Sequence, residues 1–533
     1  MQPVRLSLPA IAALTRAGAC ARAWALFVAS GWDSRTDDPT ALSLKGRLLK
    51  DRARAARGAE RTALFAEAAA AYAAAHALSP APYRAINAAT GRLLAGDPVG
   101  AAQGARDVLA LLDQAGPATD TPYYLAATRA EALLLLDDHA GAERALAEAV
   151  TADPDGWDDR AVTLGQLHEI LRAQAVEAPW LSRFTAPASL HFAGHMGIIA
   201  GGPGEAALAA ATDALLARHG VGFGWGALAA GADIVIAERL MAAGAELHVV
   251  LPCPPQVFAA QSVAPAGGDW LPRYERLLAG AASLRVAGFS PATVHDPLAT
   301  AHAGVLAIGG TLLNARRLNA ACLQLLVEDE AGGGPNTARQ AALWPAGTQG
   351  QERVRIARDA AVEALFPPEA PDPARRLVTQ VAIRIDLPTQ PGPSATLLPM
   401  LDETAQTIAA AALPPGAVRT GQGRWDLLLE DRDQALALVA ALLALPGGAP
   451  AIGVHQAIVT MIADPASGAS VAYGPESSRA SELVAMAPAG TALASDALAV
   501  VLAASPAPAL RSELYHLGDA ETGGPVHMLL PSA

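Results

Sequence analysis

The sequence predicts a multidomain α and α/β chain: N-terminal α-helical repeats, a central parallel sheet covered by helices, and a C-terminal α+β sandwich. Three observations predict it. Residues 1–180 are alanine-rich, with apolar residues at helical spacing. From residue 186, short apolar runs alternate with helical stretches, the rhythm of a parallel sheet covered on both faces. Beyond a proline-rich segment, residues 377–533 mix strands, a hairpin and helices in an order that suits a mainly antiparallel sheet.

The 533 residues, 52% of them hydrophobic, suffice for roughly three domains of about 150 residues, each with its own core. The formal charge of −13 argues against a general nucleic-acid surface, which needs clustered Lys and Arg to displace counterions. Cys20, Cys253 and Cys322 are odd in number and far apart, so neither a disulfide framework nor a zinc cluster is expected. A reducing cytoplasm is the expected compartment. The apolar N-terminal run is interrupted at Arg16 and continues as "ARAWALF", which reads as a first helix rather than a leader or a lipid anchor at Cys20. Pro and Gly break the other apolar stretches before about 20 residues, so no membrane span is expected.

In the first segment, "LSPAP", "LAGDPVG" and "ADPDGW" separate pairs of helices, as in an α-hairpin array. The unit "AEALLLLDDHAGAERALAEAVTADPDG" has the small-residue pattern of tetratricopeptide-type repeats. Gly46, Arg47, Lys50, Asp51, Tyr72, Tyr83 and Asn87 follow the pattern of the TRAFs-binding region, which this segment resembles. The resemblance implies a helical-repeat module that reads a protein partner. The motif residues carry no nucleophile or ligand cluster, and their expected task is to stitch neighbouring repeats together.

In the second segment, 186–360, the strand candidates are "SLHFAG", "VGFGWG", "ELHVVLP", "SLRVAG", "LQLLVED" and "RVRI". Ligands of such sheets sit at the carboxyl ends of strands. Two loops stand out there: Gly194, His195, Met196 and Gly197 after the first strand, and Gly332, Gly333 and Gly334 before a helix opening near Asn336 and Thr337. Glycines allow close backbone approach, and helix-start N–H groups favour phosphate. Asp233 and Glu238 either line the pocket or cap and flank their helix. His195 can serve as an acid or base, though no nucleophile and carboxylate can be placed around it; binding is its expected role.

The blocks "FAGHM", "GFGWGALAAGADIVIAERLMAAGAELHVVLP", Phe258/Ser262/Val263 and Trp270/Arg273/Tyr274/Glu275 run in an order that resembles SLOG-type Rossmann-like domains. That resemblance implies binding of a nucleotide or nucleotide-derived ligand by Gly194, His195, Gly332, Gly333, Gly334 and Thr337. The Pro and Asn of "GGGPNT" depart from a tight phosphate cradle.

Residues 361–376 form a linker with four prolines between Leu365 and Arg376. Beyond it, Thr420 to Gly423, Ile452/Gly453/His455, Tyr473/Gly474 and Gly490/Ser495 give residues 377–533 a resemblance to the class III adenylate/guanylate cyclase domain. Family catalysis needs two acids to hold two metal ions, here Mg²⁺ or Mn²⁺, and an Asn and an Arg four apart on a helix of the partner subunit. Asp386 is the candidate for the first acid. The second position, in the Gly421-Gln422-Gly423 turn, is a glutamine, and the Asn and Arg positions fall on Ser478 and Glu482. Arg479 lies close by, but a register shift that rescued it would displace the rest of the match.

The resulting expectation is a cytoplasmic signalling protein that senses a nucleotide or nucleotide-derived ligand centrally and retains an inactive cyclase-like domain for dimerisation, as a homodimer, or for regulation. No cofactor is expected, apart from Mg²⁺ or Mn²⁺ if cyclase activity remains. The competing readings are an active cyclase forming cAMP or cGMP, a nucleotide hydrolase at the "GGGPNT" loop, and a protein-interaction scaffold without ligand.

Overall fold

The computed structural model describes residues 7–114, 120–288, 296–330, 332, 334–345, 350–366, 371–385, 397–414, 416–445, 449–465, 470–474, 476–506, 508–518 and 524–532. Asp386 and Gly333 lie outside the described residues. The chain divides into two compact units, Met1–Ala186 with Arg317–Asn319, and Pro187–Arg316 with Ala320–Ala533.

The first unit is helical: α1 (Leu8–Arg16), α2 (Cys20–Ala29), α3 (Pro39–Ala55), α4 (Gly58–Leu78), α5 (Pro82–Leu94), α6 (Pro98–Asp113), α7 (Pro122–Leu135), α8 (His139–Ala152) and α9 (Trp157–Gln174). Proline opens α3, α5, α6 and α7, where its missing N–H costs nothing. Asp38, Asp97, Thr121 and Asp138 cap α3, α6, α7 and α8 by accepting from first-turn N–H groups. Helices α3/α4, α5/α6 and α7/α8 pack as hairpins. Small residues set their spacing: a Cβ on Gly46 would lie 2.6 Å from the Tyr72 ring, and one on Gly91 3.0 Å from Ala69 Cβ. Gly46 and Tyr72 of the repeat motif therefore do join neighbouring helices.

The second unit holds two sheets. The first runs through β1 (Ala188–Ala193), α10 (Pro203–His219), β2 (Val221–Gly226), α11 (Ala232–Ala242), β3 (Glu246–Leu251), α12 (Pro255–Ser262), α13 (Trp270–Gly280), β4 (Ser283–Val286), α14 (Pro297–Leu318), β5 (Cys322–Glu328), α15 (Pro335–Leu343), β6 (Gly350–Arg355) and the short α16 (Ala360–Glu363). Its strands are parallel in the order β4-β3-β2-β1-β5-β6. Each coincides with one of the six apolar runs. The chain winds outward from β1 to β4 and then crosses back to β5, so the order reverses between β1 and β5. Loops diverge at that point and leave a crevice at the carboxyl ends.

The second sheet comprises β7 (Arg375–Arg384), α17 (Leu397–Ala410), β8 (Val418–Gly421), β9 (Arg424–Leu429), α18 (Arg432–Leu443), β10 (Ala451–Ala463), β11 (Ser470–Tyr473), α19 (Arg479–Met486), β12 (Ala492–Ser495), α20 (Asp496–Ala503), β13 (Leu510–His516) and β14 (Val526–Pro531). The order is β13-β14-β12-β10-β7-β9-β8, with β11 also on β10; β10 and β12 are parallel, the other pairs antiparallel. A Cβ on Gly453 would meet Ala480 O at 2.1 Å, so glycine is what lets α19 lie directly on β10.

The sequence reading did not single out α14. It has 22 residues, and 56% of its most apolar window is buried; among the described residues it alone has the length and hydropathy of a membrane span. Its apolarity has a structural cause, because β2 of the first sheet and α20 pack on it. A Cβ on Gly310 would lie 2.8 Å from the Trp225 indole of β2, and one on Gly309 2.0 Å from Val500 O of α20.

Candidate functional site

A cavity of about 220 Å³ opens where β1 and β5 part. The loop after β1 supplies Gly194, His195 and Met196, the start of α11 supplies Asp233, and α15 begins at the cavity with Gly334, Pro335, Asn336 and Thr337. Gly332 pairs with Asp329 in a turn at φ +103 and is not part of the lining.

Close packing explains the glycines. A Cβ on Gly194 would lie 2.4 Å from Ala232 Cβ and 2.8 Å from Val327 Cβ, so the loop is wedged between α11 and β5. Gly231, at φ +96, brings the start of α11 against the carbonyls of His195 and Met196. His195 Nε2 lies 3.1 Å from Ile356 O, and Asp359 N donates to Gly197 O at 2.8 Å. These contacts tie the first loop to the end of β6, with His195 in the cavity lining.

Asp233 is buried, with one oxygen accepting from Ala229 N at 3.3 Å. Its Oδ1 has no hydrogen-bond partner among the described residues. Burial pushes its pKa up to about 7, only partly opposed by the Ala229 amide and by the nearby Gly194 amide, which lies outside hydrogen-bond geometry. Near neutrality this carboxyl can therefore donate as well as accept. Glu238 does not reach the cavity: it takes a two-point contact from Arg273, which also pairs with Glu205 at 2.8 Å and lies over Trp270. The Trp270/Arg273/Tyr274 block is thus an internal fastening of α13 to α10 and α11.

Arg358, just beyond β6, contributes a cation to the lining, with Nε 3.1 Å from the Asp329 carboxylate. Thr300, Ala303, Gly304 and Ala307 of α14 form another wall. Neither Arg358 nor α14 was identified from sequence; the signal for Arg358 was its place just past a strand's carboxyl end. The cavity thus offers the N–H end of α15, a cation, a convertible carboxyl and an apolar side at Phe192 and Phe258. It is smaller than the ~300–1,000 Å³ usual for drug-sized ligands.

In the second sheet, Gln422 is exposed in the β8/β9 turn, where Gly423 has φ +64. Ile385 N donates to Gly423 O at 2.8 Å, which sets the end of β7 against that turn. Glu482 is exposed, accepting from Ser478 Oγ at 2.9 Å and from Arg479 Nη1 at 3.0 Å. The Arg479 contact, with help from Ser478, holds the Glu482 carboxyl below its usual range. No group of three or more His, Cys, Asp or Glu suited to a metal occurs among the described residues.

No curated protein matches the chain. Similar solved structures include an adenylate cyclase from Trypanosoma brucei, at 13% identity over 30% of this chain and 89% of that one, with a TM-score of 0.23. A guanylate cyclase domain from Catenaria anguillulae in complex with GTP shares 14% identity over 30% of this chain and 98% of its own, again at 0.23. The adenylyl cyclase CyaB from P. aeruginosa shares 14% over 30% and 96%, at 0.23. The family model described as Tetratricopeptide Repeats-Sensor matches residues 6–94, so the N-terminal helices are TPR-sensor repeats.

Proposed function

We propose that the chain is a signalling protein whose central sheet senses a nucleotide or nucleotide-derived ligand in the β1/β5 cavity. The observation that carries this reading is the buried, unpartnered Oδ1 of Asp233 in the same cavity as Arg358 and the start of α15. A buried polar atom without a partner is costly, and a ligand donor that fills the vacancy recovers that cost. The α15 N–H groups and Arg358 suit a phosphate, while Phe192 and Phe258 suit an apolar or aromatic portion. The SLOG-like reading of Gly194, His195, Gly334 and Thr337 accords with this arrangement. At 220 Å³ the cavity takes one end of such a ligand, and the remainder extends toward its mouth.

The second sheet serves as a regulatory or dimerisation module without ring-closing activity. Helix α14 supplies the route to it, since one of its faces lines the cavity and Gly309 packs on Val500. The TPR-type repeats suit a protein partner.

A thermal-shift screen of the full chain against adenosine and guanosine mono-, di- and triphosphates tests the sensor. At least one should raise the melting temperature, and Gly334→Val, which places a side chain in the lining, should abolish the rise. No shift with any of them leaves the scaffold reading in its place.

A further inference from the structure

The first unit carries a concave groove of about 1100 Å³, lined by one face each of α3, α5, α7 and α9. We infer that this groove holds a second site, separate from the β1/β5 cavity, for the phosphate group of a small molecule, bound by Arg47, Lys50 and the Tyr83 hydroxyl.

Charge within the groove is unevenly committed. Arg54 pairs with Asp51 at 3.1 Å and with Glu169 at 2.7 Å, and Arg61 adds a contact to Glu169 at 3.9 Å. Glu131 is buried and accepts from Thr90 at 2.6 Å and Gln166 at 3.1 Å, and burial raises its pKa. The groove's carboxylates are therefore occupied. Two cations one helical turn apart on α3 are not. Arg47 makes no hydrogen bond or ion pair among the described residues, and Lys50 has one hydrogen bond, to Asn87 Oδ1 at 2.7 Å. The Asn87 amide cannot turn away, since its nitrogen donates to Tyr83 O at 2.8 Å. Tyr83 stands one turn before Asn87 on α5, half exposed, with its hydroxyl 3.5 Å from that of Tyr72.

Two cations outside any ion pair, with a hydroxyl on the neighbouring helix, match a compact dianion. An extended acidic peptide needs a ladder of free cations along the groove; Arg54 and Arg61 are already taken, which leaves only Arg172, on α9, beyond Arg47 and Lys50 among the described lining residues. Burial lowers the Lys50 pKa to about 8, with Arg54 adding to the effect and Glu131, Asp51 and Glu169 opposing it. An anion beside Lys50 favours its charged form, so binding weakens as pH rises past that value.

Calorimetric titration of the full chain with inorganic phosphate, pyrophosphate, sulfate, acetate and hexaglutamate tests the site. Phosphate and pyrophosphate should bind at least tenfold more tightly than acetate, and Arg47→Ala should weaken them at least tenfold with melting temperature unchanged; Lys50→Met should weaken them as much and also lower the melting temperature, because it leaves the buried Asn87 Oδ1 without its donor. Sulfate, whose charge is constant, should lose affinity between pH 7 and 9 in the wild type. Binding that survives both substitutions but disappears in Gly334→Val places the anion in the β1/β5 cavity and overturns the inference, whatever becomes of the sensor reading. Hexaglutamate binding without phosphate binding overturns it in favour of a peptide groove, and no anion binding at all overturns it outright.

Discussion

Asp296 and Arg375 form an ion pair between the start of α14 and the first strand of the second sheet, with side chains only 6% and 7% exposed. Asp296 also accepts from Leu298 N at 3.0 Å, so one carboxylate both caps α14 and anchors β7. Removing one partner of a buried pair leaves an uncompensated charge, a loss of ~3–5 kcal/mol, whereas replacing both with apolar groups can be nearly neutral. Arg375→Ala should therefore lower stability in urea unfolding by roughly that amount, and Arg375→Met with Asp296→Leu by markedly less. Equal losses would mean that an unpaired Asp296 carboxylate costs no more than losing the pair together with the α14 cap, against a charge penalty.

Asp233 makes stability depend on pH. Its folded pKa, about 7, lies above the ordinary carboxyl value of 3.8. The folded state therefore binds the proton more tightly; this contribution is fully present below about pH 4 and is lost as pH rises through 7. Asp233→Asn keeps an acceptor for the Ala229 amide but has no charge to bury. At pH 8 the variant should be more stable than the wild type by roughly 2–4 kcal/mol, and the difference should disappear by pH 4. Melting curves at pH 4, 6 and 8 check this. A difference that does not vary with pH would show that the carboxyl is ionised without penalty in the cavity.

Legibility in the sequence followed the physics of each element. The inner strands β1, β2, β3 and β5 could be read because buried strands are largely apolar runs, as in "SLHFAG" and "VGFGWG"; the edge strands β4 and β6 are largely exposed and showed only as the short runs "SLRVAG" and "RVRI". The long α14 could not be, because a helix packed between β2 and α20 is apolar on opposite sides and shows little periodicity. Of the two acids left open on α11, Asp233 faces the cavity and Glu238 faces Arg273, a choice that turned on α13, distant in sequence. Arg358 was hidden because its neighbours Asp329 and Gly334 are brought to it only by the parallel pairing of β5 with β6. The groove cations were legible as motif residues, but which of them lacked a partner depended on Glu169, more than 100 positions away from Arg54.

The second sheet should not form a cyclic nucleotide, and restoring one acid should not change that. Gln422→Asp returns a charge to an exposed turn beside the end of β7, where a hard dication needs carboxylates. The helix position that the cyclase pattern assigns to arginine remains Glu482, kept ionised by Arg479, and Arg479 is itself committed to that contact. A carboxylate facing a triphosphate at about 4 Å adds repulsion on the order of 1–4 kcal/mol per charge, between bulk-water and surface dielectric values. Incubation with ATP or GTP and Mn²⁺ should therefore yield no cyclic product above buffer from the wild type or from Gln422→Asp. Product from the single substitution would overturn the register that places Ser478 and Glu482 at the Asn and Arg positions. Product from the wild type would reverse the reading of the second sheet as a regulatory module.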